Sequence, residues 1–104
     1  MDAHLIYITV PTMKEAEHIG NALVSERLAA SVNLMDGMHA IYWWKGKMES
    51  RDEVVLLAKT KATLVQEVIR RVKAMHSYEC PCVVSMPISA GNPAFLDWIA
   101  EETR

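Results

Sequence analysis

Glycine is scarce in this sequence, with four residues in 104, and it carries only four prolines and two cysteines. So few glycines leave no room for a P-loop or a dinucleotide-binding fingerprint. The cysteines, Cys80 and Cys82, stand two positions apart and cannot staple distant parts of a fold, which agrees with a reducing compartment. Charge of one sign is also missing: 11 Lys and Arg against 13 Asp and Glu leave a net charge of -2. The one basic cluster is Arg70-Arg71-x-Lys73, so no nucleic-acid partner is expected, because a phosphate backbone rewards a basic face. Long apolar runs are absent too. Ile41 to Trp44 and Val54 to Ala58 are far short of the roughly 20 residues that cross a bilayer, so no membrane partner is expected. Asp2 and His4 lead straight into a strand-like run with no leader pattern, and a cytoplasmic location is the expectation.

What is present is ample apolar material, 51% of residues against 23% charged. That is enough for one domain, residues 1-104, with a core of ordinary size. Leu5 to Val10 is short, β-branched and closed by Pro11, which reads as a strand. Thr12 with Glu15 three residues on is a capping-box signature. Ala16, Ile19, Leu23, Val24 and Leu28 then recur at helical spacing, with Gly20 on the inner side of the helix. A second strand is expected from Ala30 to Met35. Asp36-Gly37 interrupts it as a turn, a bulge or a kink, and strand character resumes from His39 to Trp44. Lys45-Gly46 reads as a reversal into a third strand, Met48 to Lys61. A second helix spans Thr63 to Met75, a last strand spans Cys82 to Ile88, and Asn92-Pro93 opens a terminal helix. The order β-α-β-β-α-β plus a C-terminal helix is an α+β, ferredoxin-like plan with an antiparallel sheet.

In that plan two helices cover one sheet face and the other meets water, so strands should alternate apolar and polar residues. These do not. Leu5 and Tyr7 oppose Ile6, Ile8 and Val10; Val55 and Leu57 oppose Val54, Leu56 and Ala58; Val83 opposes Val84, Met86 and Ile88. The stretch from Ala30 to Trp44 also reaches roughly 45–50 Å when extended, against a radius of gyration of about 13 Å for a domain of this size. A hairpin carrying Tyr42, Trp43 and Trp44 should therefore project, and an unpaired projecting edge is an aggregation hazard. Pairing of sheets between subunits removes it, so an oligomer is expected, with those three aromatics as interface anchors.

Cys80-Pro81-Cys82 is the most distinctive local feature. Residues two apart in an extended segment face the same way, so two thiolates can converge on a soft ion such as Cu(I) or Zn(II). His76, at the end of the second helix, is a further candidate ligand and equally a cap for the helix dipole. Two small buried hydrophobes would explain the cysteines without any metal. Glu49, Asp52, Glu53 and Glu79 are scattered acidic residues rather than a dyad. No catalytic constellation is legible, and no enzymatic activity is expected.

These residues together resemble the CutA divalent-cation tolerance proteins, from about Leu5 to Trp98. The resemblance is carried by Thr9-x-Pro11, Leu23-Val24-x-x-Arg27-Leu28-Ala29-Ala30-x-Val32-Asn33, Ile41-Tyr42-x-Trp44-x-Gly46 and Lys59-Thr60. It continues through His76-x-Tyr78-Glu79-x-Pro81, Pro87-Ile88, Gly91-Asn92 and Leu96-x-Trp98-Ile99. It implies a ferredoxin-like subunit of a homotrimer with intersubunit sheet pairing, a cytoplasmic setting, a link to copper or another divalent cation, and no established reaction. Of the copper-binding constellation that the family implies, His76 is present, while Ile8 and Met75 stand at the other two positions. The candidate metal residues are thus His76, Cys80 and Cys82. The similarly built PII-type trimers supply the alternative, a signalling or scaffold protein binding a small molecule or another protein in intersubunit clefts.

Overall fold

The computed structural model describes residues 2–104. Strand β1 (Ala3–Val10) leads into helix α1 (Met13–Ser25), then the long strands β2 (Ser31–Trp44) and β3 (Lys47–Lys61). A 3₁₀ turn (Ala62–Leu64), helix α2 (Val65–Met75), strand β4 (Val83–Pro87) and helix α3 (Pro93–Glu102) complete the chain. The sheet order is β2-β3-β1-β4, antiparallel throughout, which is the ferredoxin-like topology. The second helix starts two residues later than expected, because Thr63 falls in the 3₁₀ turn, and β4 is shorter than Cys82 to Ile88.

One sheet face makes the core. Ile6, Ile8 and Val10 of β1 and Val54, Leu56 and Ala58 of β3 meet Ala16, Ile19 and Leu23 of α1 and Val68 and Val72 of α2. Burying each of the Val, Leu and Ile side chains contributes about 1.5–3 kcal/mol. Gly20 is where helix and sheet approach closely: a Cβ there would stand 3.1 Å from a Val32 methyl. Thr12 caps α1 by accepting from the Glu15 amide at 3.2 Å. The Glu15 carboxylate does not complete the capping box. It accepts from the amide and hydroxyl of Ser77 at 2.9 and 2.8 Å, tying the start of α1 to the end of α2.

Partner residues across a ladder share a face, so the opposite face follows from the register. It carries Leu5 and Tyr7, then Leu57, then Val84 and Met86, with Met35 and Val55 alongside. Val84, Met86 and Met35 are exposed. The second face is therefore apolar and open, as the uninterrupted strands require. Helix α3 packs beside β3 and β1 but leaves those three side chains exposed. Its C-terminal end is tied to the region where β3 finishes, through Lys61 to the Thr103 carbonyl, the Arg104 amide to the Arg27 carbonyl, and an Arg104–Glu67 ion pair.

Asp36-Gly37 is a bulge within one continuous strand. The register slips between Met35 and Met38, the Asp36 carboxylate accepts from the Gly37 amide at 2.8 Å, and Gly37 takes φ +78°. Lys45 and Gly46, both at positive φ, turn the hairpin. The β2–β3 arm gives the molecule its extents of 44 × 25 × 23 Å. Near its tip Ile41, Trp43 and Met48 are exposed by 67%, 73% and 69%.

Candidate functional site

A cleft of about 790 Å³ lies on the open side of the sheet, between the hairpin arm and the Ser77–Cys82 segment. The bulge positions one wall. Beyond it Met38, Ala40, Tyr42 and Trp44 pair with Glu53, Arg51, Glu49 and Lys47, and all but Lys47 line the cleft. Tyr7 and Thr9 of β1 add to the lining. The other wall starts where His76 ends α2 with extended backbone (ψ 141°) and runs to the start of β4, with the Thr9 amide donating to the Cys82 carbonyl at 3.4 Å.

Glu53 is the buried charge of this site, 7% exposed. The Tyr78 hydroxyl donates to its carboxylate at 2.7 Å, and Arg51 donates to the same hydroxyl oxygen at 2.6 Å. Burial, then the bond to Glu53, raises the Tyr78 pKa, which keeps the phenol protonated as a donor. The Arg51 guanidinium also rests over the Tyr78 ring, 5.1 Å from its centroid. The alternation of the β3 residues could have flagged Glu53, which shares its face with Val55 and Leu57. The Tyr78 partnership had no local signal.

His76 has no exposed side-chain surface. Its Nε2 lies 2.7 Å from the Thr9 carbonyl and must donate, while its Nδ1 accepts from the Tyr78 amide at 3.1 Å. Both nitrogens of a neutral ring are thus used within the chain. Cys80 is exposed and Cys82 half-buried, both are free thiols, and both line the cleft. Burial pushes the Cys82 thiol up; a hydrogen bond with Thr9 works against this, and the Glu53 charge adds to it. Among the described residues no three His, Cys, Asp or Glu side chains gather as a metal cage. The structure thus places Cys80 and Cys82 on the same cleft wall, while both ring nitrogens of His76 are engaged within the chain. Of the three aromatics expected to anchor an interface, Tyr42 and Trp44 face the cleft, whereas Trp43 points to the opposite side of the arm.

The fold and cleft define a small ferredoxin-like α+β domain with a bare apolar sheet face, a projecting two-stranded arm and a polar-floored cleft between them. Residues 4–102 match the family described as CutA1 divalent ion tolerance protein. The chain belongs to that family. It is 44% identical over 98 residues to the divalent-cation tolerance protein CutA of Archaeoglobus fulgidus, covering 94% of this chain and 95% of the relative. It is 37% identical to the chloroplastic CutA 1 of Oryza sativa, covering 96% of this chain but only 56% of that longer protein. The crystal structure of CutA from Xylella fastidiosa superposes with a TM-score of 0.96 at 40% identity, covering all of both chains. Among the described residues no helix is long and apolar enough to cross a membrane.

Proposed function

We propose that this chain is one subunit of a cytoplasmic homotrimer of copper and divalent-cation tolerance, which binds cations weakly and catalyses no reaction. The observation that carries the assembly is the pair of unpartnered apolar surfaces. The open sheet face with Val84 and Met86, and the arm with Ile41, Trp43 and Met48, together form an exposed apolar surface of the kind that marks an interface. Neighbouring subunits that continue the sheet across the arm would cover both. The cation role is supported by the family and by the two thiols on the cleft wall, which suit Cu(I) or Zn(II). If His76 supplies a third donor, it must give up either the bond from the Tyr78 amide to Nδ1 or the bond of Nε2 to the Thr9 carbonyl, and that cost favours weak binding.

Calorimetric titration of the reduced protein with Cu(I), Cu(II) and Zn(II) tests the cation role. Binding that is lost in Cys80→Ser and Cys82→Ser supports it. Absence of binding tighter than about millimolar, roughly -4 kcal/mol, would remove any direct metal role. A second reading is favoured by the size of the cleft, which exceeds what an ion needs: a PII-like trimer that takes a small molecule or a protein segment there.

A further inference from the structure

We propose that Cys80 and Cys82 form a thiol–disulfide couple: an oxidant joins their sulfurs across Pro81, and a thiol reductant parts them. In the joined state neither sulfur can serve as a thiolate ligand, so oxidation closes the cation site. That consequence rests on the cation reading above; the couple itself does not, and it needs no open pocket, because the reaction joins two groups of one chain.

The first argument is reach. Both cysteines are free thiols and both line the same wall. Even fully extended, two residues span only about 6.6 Å, and any bend shortens that, whereas a disulfide bridges Cα atoms roughly 4.4–6.8 Å apart.

The second is that closing the ring breaks nothing. The segment is pinned on either side: Ser77 donates to the Glu15 carboxylate, the Tyr78 hydroxyl donates to Glu53, and the Thr9 amide donates to the Cys82 carbonyl. Between these anchors, and among the described residues, neither Glu79 nor Cys80 forms a backbone hydrogen bond, and Pro81 has no amide to offer. Neither cysteine lies within a strand or helix, so the local backbone can adjust while the ladders stay paired. A ring this small is strained, and strained disulfides are the readily reduced, regulatory ones rather than structural staples.

The third is the asymmetry of the pair. Cys80 is exposed in the single chain and Cys82 is half-buried beside it, which gives each a separate task. With glutathione disulfide as the oxidant, the Cys80 thiolate attacks one of its sulfurs and expels one glutathione thiolate, leaving a mixed disulfide. The Cys82 thiolate then attacks the Cys80 sulfur and expels the second. The protein gives up two electrons and two thiol protons, and the oxidant becomes two molecules of glutathione. The surroundings agree: among the described residues no third His, Cys, Asp or Glu joins the two sulfurs in a metal cage, and a disulfide requires only the pair.

The test uses the full chain in its native assembly, with EDTA, equilibrated in glutathione buffers of rising disulfide content, then acid-quenched, alkylated and mapped by mass spectrometry. The peptide holding both cysteines should lose two hydrogens, and its iodoacetamide uptake should fall by at least about tenfold between the reducing and oxidising ends. Dithiothreitol should restore it. Cys82→Ser should stop at a glutathione adduct on Cys80, and Cys80→Ser should stay mostly unmodified; both sites lie outside the core, and circular dichroism checks the fold. Thiols that resist excess glutathione disulfide in the native assembly yet react in urea would show that a neighbouring subunit covers this wall, and would overturn the proposal. So would a lasting glutathione adduct on wild-type Cys80, or a disulfide that links two chains. Zn(II) titration of the two forms reads the consequence: the reduced form should bind at least about tenfold more tightly than the oxidised one. Equal binding by both forms would overturn the consequence. Binding by neither would end the cation reading, while an oxidised pair in the same samples would still establish the couple.

Discussion

Replacing His76 by alanine should destabilise the metal-free protein, because both of its ring nitrogens serve the fold. The substitution strands the Thr9 carbonyl, now bonded at 2.7 Å, and the Tyr78 amide, bonded at 3.1 Å, around a side chain with no exposed surface. Each lost partner costs about 1 kcal/mol net and more where the orphan cannot reach water. The vacated ring volume adds a cavity cost. Together these give a loss of about 2–4 kcal/mol. The assay is urea unfolding at fixed protein concentration with EDTA present. His76→Gln, whose amide can donate to the Thr9 carbonyl, should recover part of the loss. A His76→Ala midpoint within about 0.5 kcal/mol of wild type, the range of an inert surface substitution, would refute the structural role. So would a loss that appears only when copper or zinc is added.

The two cysteines should differ in reactivity. Iodoacetamide followed by mass spectrometry should label exposed Cys80 well before Cys82, whose thiol is half-buried and pushed above its ordinary pKa of 9.0, with the gap narrowing at higher pH. Equal rates near pH 8 would contradict the environment described for Cys82. The Glu26–Arg71 pair links the end of α1 to α2, with contacts of 2.9 to 3.2 Å, and its hydrogen bond holds Glu26 below the ordinary 4.5. A lowered folded-state pKa means that the contact stabilises above that ordinary value and is lost as pH falls through the folded one. The stability advantage of wild type over Glu26→Gln should therefore be present at pH 7 and vanish in acid, as thermal melts across pH can show. Val84→Lys places a charge on the open sheet face, at a site 51% exposed in the single chain. It should leave the subunit folded by circular dichroism and break the assembly on gel filtration; an intact oligomer would show that this face is not the interface.

The sheet and helices were legible because their signals are local. Ile6, Ile8 and Val10 repeat at period two, α1 shows its three- and four-residue spacing, and Asn92-Pro93 marks the start of α3, where Asn92 accepts from the Ala94 amide. The projecting arm was legible from chain length alone. Asp36-Gly37 was not, since the same pair serves a tight turn or a bulge, and only the continued pairing with β3 decides between them. The site was harder for the same reason. Glu53 looks like one more acidic residue at a polar strand entry, and its burial depends on Tyr78, 25 positions later. For His76 the helix-capping position could be read, but its bond to the Thr9 carbonyl, 67 residues away, could not. The shape of the cleft that the cysteines share with Tyr42 and Trp44 is a property of the fold rather than of their spacing.

The central claim is that a subunit with one bare apolar sheet face and an exposed apolar arm exists as a trimer. Multi-angle light scattering on the peak eluting from size exclusion, with EDTA present, tests it most directly. The account predicts a mass of about 35 kDa, three times the 11.7 kDa chain, that does not fall on dilution to micromolar concentration. A folded species at the mass of the single chain would contradict it.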